Sequence, residues 1–439
     1  MAALSKAHVE LSDGINETRK LTESHPSWYS PQTGIYSSKY PSINLPSEPL
    51  LDVVSFIFSH KHNGLHALVD SASGLSVPYS KLLPLVKSMA AGLHHLGVKQ
   101  GDVILILLPN SVCFPIVFLG ALSLAFAAIG KVDELVNALG GCHVVGVPEA
   151  LDVNSLSSDD SVFHNLISSD PAMAPRPRIV QQDTAAILYS SGTTGRSKGV
   201  MLSHGNFIAM IELFVRFEAS LYDYPSSENV YLAVVPMFHV SIEKYGVTHL
   251  HSVPPILVAL TKKAKKGCAS SFRSLKQVCC GAAPLSEKSI TELVESLPYV
   301  DFIQGYGMTE STAVATRGYN TIGAHRYSSA GLLSPNVEAK VVDWVKGAHL
   351  PPGSVGELWL RSPGNMKGYL NNIEATMVAL DKDGWLHTGD IVYFDQEGYL
   401  YVIDRLKEVI KYKGFQIAPA DLEAVLMTHH EILDAAVTG

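Results

Sequence analysis

The stretch from Leu188 to Leu202, with the sequence LYSSGTTGRSKGVML, constrains this chain more than any other. Largely apolar residues flank its polar centre as two candidate strands, Asp183–Tyr189 and Val200–Leu202. Between them stand six consecutive Ser, Thr or Gly residues, followed by the cations Arg196 and Lys198. Glycines let a backbone approach an anion closely, hydroxyls donate to its oxygens, and a lysine neutralises its charge. The pattern predicts a β-hairpin whose tip grips phosphate, with a solvated Ser/Gly turn as the alternative.

Composition and charge narrow the class of protein. The chain has 439 residues, of which 47% are hydrophobic and 17% charged, so we expect two or more globular domains around a large core. The net charge of −8 and the lack of a long Lys/Arg block argue against nucleic acid as a partner. The five cysteines include no C-x-x-C pair, which favours a reduced, intracellular protein without structural zinc.

The uncharged segment Val103–Gly130 is long enough to span a bilayer. Prolines interrupt it at positions 109 and 115, and residues that can cap a helix lie between them. We therefore predict a buried strand over Val103–Leu108 and a buried helix over Ser111–Ala127, and no membrane span.

Helical and strand patterns alternate along the rest of the chain. Residues 1–50 are rich in Ser, Pro and Tyr and are predicted to form an extended N-terminal arm. Leu82–Leu96 has helical apolar spacing with Pro84 in its first turn, whereas the Ser/Asp-rich Asp152–Ser169 is predicted to be a surface loop. From Gly331 onwards, short alternating segments with frequent Pro and Gly predict a β-rich subdomain. Strands bounded by helices elsewhere predict α/β layers with a mostly parallel sheet.

Three segments of this chain resemble the motifs of one enzyme superfamily. Ser190–Val200 resembles the AMP-binding signature of the acyl-adenylate-forming enzymes, which include acyl-CoA ligases, luciferases and peptide-synthetase adenylation domains. Gln304–Glu310 (QGYGMTE) and Gly356–Leu370 (GELWLRSPGNMKGYL) match further motifs, and the resemblance narrows to plant 4-coumarate–CoA ligase-like proteins. A peptide-synthetase unit is the weaker alternative, because no carrier-domain sequence follows.

The resemblance implies a fold and a reaction. The fold would be α/β, with a large AMP-binding domain over residues 51–403, built from two α/β sheet layers and a β-rich subdomain. A hinge and the start of a small α+β domain would follow at 404–439. ATP and a carboxylic acid would form acyl-AMP and pyrophosphate, and coenzyme A would then take the acyl group and release AMP. We expect a monomer that uses ATP, Mg²⁺, coenzyme A and a phenylpropanoid or fatty-type acid.

Residues that match the superfamily motifs are expected to hold the nucleotide. Glu310 would bind Mg²⁺, Thr309 would donate to the α-phosphate, and Tyr306 would stack on adenine. The Asp390 carboxylate would accept both ribose hydroxyls beside Arg405, although Asp390 could also be a plain turn residue. The full set expected to bind the nucleotide is Ser190, Ser191, Gly192, Thr193, Thr194, Lys198, Gln304, Gly305, Tyr306, Thr309, Asp390 and Arg405.

The resemblance also implies residues for the acid and its activation. His239, in the segment PMFH, would gate the acyl pocket and take part in catalysis, although a histidine there is also an ordinary strand-end residue. Ala282, Gly305 and Met308 would line the pocket, unless they are small or apolar residues that only pack at strand ends.

Residues after the hinge would serve the second half-reaction. Lys407 would be a hinge residue, and Lys411 and Gln416 would act around the adenylate, with a solvated basic turn as the alternative. The 32 residues after Lys407 contain no P-x-x-x-x-G-K segment, so a truncated small domain without the catalytic lysine of the superfamily is expected. The ending Val437–Gly439 is not a peroxisomal signal, and a cytoplasmic or peroxisomal protein is expected.

Two joins in the chain depart from the pattern of the family. Near residues 125–131 the chain lacks a helix–strand pair that family members carry, and near 240–243 it lacks much of the segment that walls the acyl pocket. We infer two internal deletions. The expected consequence is weak ATP binding and poor turnover, and the alternative is a non-catalytic variant that retains only nucleotide binding or a partner-binding role.

Overall fold

The computed structural model of the protein describes residues 25–62, 64–124, 126–129, 144–148, 161–190, 197–222, 228–232, 238–283, 285–320, 324–408, 410–412, 415–417, 419–426, 429, 432 and 435–438. Most strands in these ranges belong to three large sheets. In chain order the strands are β1 Tyr29–Ser30, β2 Ile35–Ser37, β3 His66–Val69, β4 Ser76–Pro78, β5 Val103–Ile106, β6 Phe126–Ile129, β7 Thr184–Ser190, β8 Lys198–Ser203, β9 Tyr231–Leu232, β10 His249–Ser252, β11 Gln277–Cys280, β12 Asp301–Tyr306, β13 Thr316–Arg317, β14 Leu332–Leu333, β15 Glu338–Val342, β16 Gly356–Arg361, β17 Gly368–Tyr369, β18 Leu386–Phe394, β19 Leu400–Arg405, β20 Ile410–Tyr412 and β21 Phe415–Ile417.

Helices connect the strands. The α-helices are α1 Val53–Ser59, α2 Tyr79–His95, α3 Cys113–Leu122, α4 Val162–Ile167, α5 His204–Met210, α6 Phe217–Ser220, α7 Phe238–Tyr245, α8 Pro254–Lys263, α9 Glu287–Ser296, α10 Ile373–Ala379 and α11 Pro419–Leu426. Segments with π geometry join α5 to α6 at Ile211–Arg216 and extend α8 at Ala264–Cys268. Short 3₁₀ turns lie at Pro171–Met173, Ala269–Phe272 and Thr309–Ser311.

The sheets confirm the α/β prediction with an additional β-rich part. One sheet has the order β17-β8-β7-β6-β5, and a second has the order β14-β13-β12-β11-β10-β9. Neighbouring strands are parallel from β5 to β7 and from β9 to β12, where helices connect them. The third sheet, β1-β2-β15-β16-β18-β19, is antiparallel throughout.

The two strands of the predicted phosphate-binding hairpin form and pair, while its tip lies outside the described residues. Strands β7 and β8 pair antiparallel, with Tyr189 opposite Gly199 and Ser190 opposite Lys198. Helix α5 begins directly after β8, where Ser203 and Asn206 form a reciprocal capping box. The hairpin is therefore held at its base by a central sheet strand on one side and a capped helix on the other.

The predicted helix over Ser111–Ala127 is too long. The helix α3 ends at Leu122, and Phe126–Ile129 instead forms a parallel strand between β5 and β7. Pairing with β5 and β7 selected the strand, because an uninterrupted apolar run suits a buried parallel strand as well as a buried helix and does not decide between them. No helix within the described ranges is long and apolar enough to cross a membrane.

Two further sequence predictions need correction. Helix α2 begins at Tyr79, so Pro84 lies in its second turn and not in its first. Asp152–Ser169 is not a loop throughout, because Val162–Ile167 forms α4, whose Ser161 cap accepts from the His164 amide. Burial of Phe163, Leu166 and Ile167 against the neighbouring helices explains why this short helix forms.

The described part of the N-terminal arm, from residue 25 onwards, belongs to the β-rich region. Strand β2 pairs with β15, and Tyr36 is fully buried and stacks on Phe394 with a ring-centroid distance of 4.6 Å. The Tyr36 hydroxyl donates to the Leu350 carbonyl at 2.8 Å. These contacts place the arm against the sheet that carries Asp390 and Arg405, the predicted ribose residues.

Candidate active site

A serine and a lysine face each other where the two described strands of the hairpin end. Ser190 and Lys198 are cross-strand partners, whereas Ser191, Gly192, Thr193 and Thr194 lie outside the described residues. The Ser190 Oγ atom is buried and has no hydrogen-bond partner among the described residues. A buried hydroxyl without a partner is costly unless a ligand satisfies it, so the geometry suits a donor to phosphate.

The predicted metal-binding turn follows β12. Glu310 lies in the 3₁₀ turn Thr309–Ser311, is only 7% exposed, and accepts a hydrogen bond at Oε1 from the Tyr369 hydroxyl at 2.9 Å. Its second oxygen, Oε2, accepts no hydrogen bond from a described residue. A carboxylate oxygen is a ligand that Mg²⁺ prefers, and Mg²⁺ on a nucleotide usually takes one or two carboxylates plus phosphate oxygens.

The donor set therefore fits a nucleotide-bound Mg²⁺. No group of three or more His, Cys, Asp or Glu side chains that could hold an ion by itself occurs in the part of the chain that the structure describes. The turn is tightly built, because Ser311 Oγ accepts from the Met308 amide at 3.2 Å and donates to the Met308 carbonyl at 3.1 Å. Thr312 leaves the turn in the left-handed region, at φ 52°.

The predicted adenine and ribose residues form one hydrogen-bonded group. Asp390 lies on β18 and is 5% exposed. Its Oδ2 accepts from the Tyr306 hydroxyl at 2.5 Å, and its Oδ1 lies 3.2 Å from Arg405 Nε on β19. A carboxylate has about four lone-pair sites, so both oxygens can still accept from a diol. The Asp390 amide donates to Thr388 Oγ1 at 3.1 Å, which fixes the backbone there.

Burial sets the protonation of this group. Burial raises the pKa of Asp390 above its ordinary value, although the Tyr306 hydrogen bond and the Arg405 charge oppose the shift. Burial, and then the Asp390 charge, raise the pKa of Tyr306 well above its ordinary value. Tyr306 is therefore a neutral donor at physiological pH, and its ring position depends on Asp390.

A connecting segment, residues 364–370, joins the hairpin to the predicted metal-binding turn by backbone hydrogen bonds. Strand β17, in this segment, adds to the edge of β8, and the Leu370 amide donates to the Gly199 carbonyl at 2.7 Å. At its other end, the Met366 amide donates to the Glu310 carbonyl at 2.8 Å. A Cβ atom on Gly364 would lie 2.6 Å from the Ser311 carbonyl oxygen, so only glycine permits this approach.

Tyr369 was missed by the sequence analysis as a functional candidate. It is 8% exposed, and its ring lies beneath Lys198 Nζ, which is 4.9 Å from the ring centroid. Burial, and then the Glu310 charge, raise the pKa of its phenol, so that it remains a donor to Glu310. The sequence offered one clue, a tyrosine next to the glycine of β17, but no spacing rule links it to Glu310, 59 residues away.

The predicted acyl-pocket residues lie at the ends of adjacent strands. Strand β11 ends at Cys280, whose partner on β12 is Gln304, so Gly305 is the next residue on β12 and Ala282 lies two residues beyond the end of β11. Ala282 has a positive φ of 69°. A Cβ atom on Gly305 would meet its nearest neighbour, the Thr316 carbonyl oxygen, at 3.4 Å, an ordinary contact. Packing therefore does not require glycine at position 305.

For the other predicted residues the structure gives a position in the fold but few side-chain contacts. Met308 precedes the predicted metal-binding turn. The Gln304 side chain donates to the Tyr327 carbonyl at 2.7 Å, so it is bound within the fold. His239 lies in α7, where the structure does not describe its side chain. Lys407 lies in the turn between β19 and β20.

The residues after the predicted hinge include two paired strands. The sequence had left a solvated basic turn as the alternative here. Strands β20 and β21 pair antiparallel, with Lys411 opposite Gln416. The side chains of both residues lie outside the described part of the chain. Their roles therefore stay predictions.

Comparison with known proteins places the chain in a family. The family model described as AMP-binding enzyme matches residues 58–135, 126–241 and 240–370. The chain is 50% identical over 481 residues to 4-coumarate--CoA ligase-like 6 of Arabidopsis thaliana, covering 96% of this chain and 85% of the relative. It is 44% identical to 4-coumarate--CoA ligase-like 3 of Oryza sativa subsp. japonica, covering 94% and 82%.

A solved structure shares the fold. The ATP-bound RpMatB-BxBclM chimera B1 superposes with a TM-score of 0.74 at 21% identity, covering 88% of this chain and 85% of that one. The Arabidopsis alignment, at 481 residues, is longer than this 439-residue chain, so the relative has residues without a counterpart here. The chain belongs to the AMP-binding enzyme family, among its 4-coumarate–CoA ligase-like members, which are adenylate-forming acid–thiol ligases using ATP and coenzyme A.

Proposed function

We propose that the protein joins a carboxylic acid to coenzyme A through an acyl-AMP intermediate, at a rate well below that of an unshortened relative. The observation that carries the proposal is the hydrogen-bonded group of Asp390, Tyr306 and Arg405. It combines a buried diol acceptor with an aromatic ring. The Glu310–Tyr369–Lys198 group, which has the chemistry of a site for Mg²⁺ and triphosphate, is fastened to the same fold by residues 364–370.

The chain's own residues can perform the binding steps of adenylation. Ser190 Oγ and Lys198 would donate to phosphate oxygens, and Thr309 would do so at the α-phosphate. Glu310 would hold Mg²⁺, which neutralises charge on the phosphates when bound. Asp390 and Arg405 would fix the ribose, so the α-phosphate meets the incoming carboxylate in one orientation. Fixing the reactants in this way can lower the activation barrier by a large amount.

The acid is proposed to be a phenylpropanoid or a fatty-type acid. The names of the relatives, which are 4-coumarate–CoA ligase-like, support this class. The space at Gly305, where no neighbour comes closer to a Cβ atom than ordinary contact, supports a pocket lined by Gly305, Ala282 and Met308. His239 would then gate this pocket, with Lys411 and Gln416 serving the transfer to coenzyme A and Lys407 the hinge.

Reduced activity is proposed because of the two joins. The family match is divided at residues 126–135 and at 240–241, which supports internal deletions near 125–131 and 240–243. Strand β9, just before the second join, is an edge strand of its sheet, and Tyr231 on it is 48% exposed. A wall of the acyl pocket is expected at this edge in the family.

The second candidate is a variant that binds nucleotide without catalysis. The same exposed edge at β9 favours it, because a pocket without one wall cannot hold an acid in line with the α-phosphate. Nucleotide binding alone would need only the Asp390 and Glu310 groups. The two candidates make the same prediction for ATP binding and opposite predictions for product formation.

The deciding experiment is an assay of both half-reactions. Purified protein is incubated with ATP, Mg²⁺, coenzyme A and a panel of phenylpropanoid and fatty acids, and acyl-CoA is quantified by mass spectrometry. Pyrophosphate exchange into ATP reports adenylation separately. We expect slow but acid-dependent exchange and little acyl-CoA. Rates equal to those of an unshortened relative would refute the impairment, and ATP binding without exchange would favour the second candidate.

A further inference from the structure

One tyrosine contacts both charged groups of the predicted triphosphate site. The Tyr369 hydroxyl donates to Glu310 Oε1 at 2.9 Å, while Lys198 Nζ lies 4.9 Å from the centroid of the same ring. Tyr369 is 8% exposed and Glu310 7% exposed, so these contacts are formed away from bulk water. The hydroxyl and the ring of this one side chain therefore each contact a charged group.

The arrangement keeps the two opposite charges from neutralising each other. Neither Lys198 nor Glu310 forms an ion pair with any residue in the described ranges. A lysine and a carboxylate on neighbouring segments would otherwise be free to pair, and a ligand would then have to break that pair. The phenol offers each group a weaker partner, through a hydrogen bond to Glu310 and a cation–π contact to Lys198.

The backbone around Tyr369 leaves it little freedom. Tyr369 is paired with Val200 on β8, and its amide donates to Thr376 Oγ1 at 2.9 Å. Gly368 before it has φ 145°, and a Cβ atom there would lie 2.7 Å from Thr376 Cγ2. A tyrosine with so little freedom can hold in position the two side chains that it contacts.

We infer that Tyr369 is a positioning residue that presets Glu310 and Lys198 for a magnesium–triphosphate. The inference rests on the proposed function, since it assumes that this site receives a nucleotide. The hydroxyl holds Oε1 of Glu310, which would leave Oε2 available to a magnesium ion. The ring holds Lys198 apart from Glu310, so that its charge is available to phosphate. The hydroxyl and the ring can be tested separately.

The test compares nucleotide binding with and without metal. Binding of α,β-methylene-ATP is measured by calorimetry in excess Mg²⁺ and in excess EDTA, for wild type, Tyr369→Phe, Tyr369→Leu and Tyr393→Phe. Tyr393 stacks on Tyr401 with centroids 4.9 Å apart, outside the nucleotide residues, and is the matched control for loss of a hydroxyl. Thermal unfolding of each variant confirms that it is folded.

We expect Tyr369→Phe to weaken binding about tenfold in Mg²⁺, the effect of losing one hydrogen bond to a charged group, and to leave binding in EDTA nearly unchanged. Tyr369→Leu should weaken binding in both conditions, because the ring beneath Lys198 is also lost. In a Glu310→Gln background, Tyr369→Phe should cause no further loss of Mg²⁺-dependent affinity.

Other outcomes overturn the inference in distinguishable ways. Equal losses with and without Mg²⁺ for Tyr369→Phe would show a purely structural role. Wild-type affinity for Tyr369→Phe in Mg²⁺ would refute the positioning role while leaving the proposed function intact. If the wild-type protein binds the analogue in neither condition, the nucleotide site itself is refuted, and the role of Tyr369 falls with it.

Discussion

Asp390 illustrates how one buried residue can serve several predicted roles. The sequence suggested separate contacts for Tyr306 on adenine and Asp390 on ribose, but the structure joins the two residues through a hydrogen bond of 2.5 Å. Arg405 approaches the other carboxylate oxygen at 3.2 Å. A change at Asp390 should therefore disturb the ring of Tyr306 as well as the acceptor for the diol.

We predict that Asp390→Asn lowers ATP affinity by at least about tenfold, since an amide offers one oxygen in place of two and carries no charge for Arg405. The measurement is calorimetric titration with ATP and Mg²⁺, together with the unfolding midpoint. Asp383→Asn, on the exposed turn before β18, is the matched control and should bind as the wild type does. Unchanged affinity in Asp390→Asn would remove this residue from the nucleotide site.

A second residue-scale prediction concerns His249 on β10. Burial lowers its pKa to about 4, and the charges of Arg317 and Lys276 add to the shift. In the unfolded chain the same histidine has a pKa of about 6.5. Between these two pKa values, the unfolded chain binds more protons at this residue than the folded chain does. Stability should therefore fall as the pH is lowered from about 6.5 towards 4.

The measurement is chemical denaturation at several pH values in that window. His249→Asn should flatten the dependence, and His95→Asn, at the exposed end of α2, should leave it unchanged. His251 has a similarly lowered pKa of about 4 and should account for part of the remaining slope. An equally steep dependence in His249→Asn would contradict the assignment.

At the scale of elements, the predictions succeeded where a local rule decides the structure. The hairpin of β7 and β8 follows from apolar runs around a Ser/Gly centre. The extent of α3 could not be read, because the apolar residues around Phe126 suit a strand or a helix equally. Pairing with β5 and β7, which are distant in sequence, selected the strand.

In the candidate site, too, some residues could be predicted from local motifs and one depends on distant strand pairing. Asp390, Glu310 and Lys198 belong to motifs that a sequence displays, so they could be proposed at once. Tyr369 could not, because its role depends on the pairing of β17 with β8, which brings it to Glu310 across 59 residues. The residues around Tyr369 do not show which distant strand β17 will pair with, and that pairing creates the contact.

The contact between α6 and β13 gives an element-scale prediction. Glu218 and Arg317 form an ion pair, each with a side chain only 8% exposed, and Arg317 also donates to Gln277 at 3.0 Å. Removing one partner leaves a buried charge, so Arg317→Met should lower the free energy of unfolding by about 3–5 kcal/mol.

The double variant Glu218→Leu with Arg317→Met removes both charges and should be less destabilised than Arg317→Met alone. Urea denaturation of the wild type, both single variants and the double variant forms a complete cycle. Additive losses in the double variant would show that the two side chains contribute independently and that the pair does not link helix to sheet.

At the scale of the whole molecule, the proposed joins near 125–131 and 240–243 would affect both stability and activity. The structure places β6, which lies at the first join, between β5 and β7, so that sheet is continuous there. After the second join no such replacement is found in the described residues, and β9 remains an edge strand with Val230 38% exposed just before it. The second join is therefore expected to cost more than the first.

We predict that inserting the corresponding segment of the Arabidopsis relative at the second join raises both the unfolding midpoint and the rate of acid-dependent pyrophosphate exchange. The added residues would cover the exposed edge of β9 and supply a wall for the acid, whereas ATP affinity should change little because Asp390 and Glu310 are untouched. Insertion at the first join alone is the control and should have a smaller effect on exchange. Exchange that is unchanged after the second insertion, in a variant that is folded and binds ATP, would show that the missing wall does not limit this enzyme.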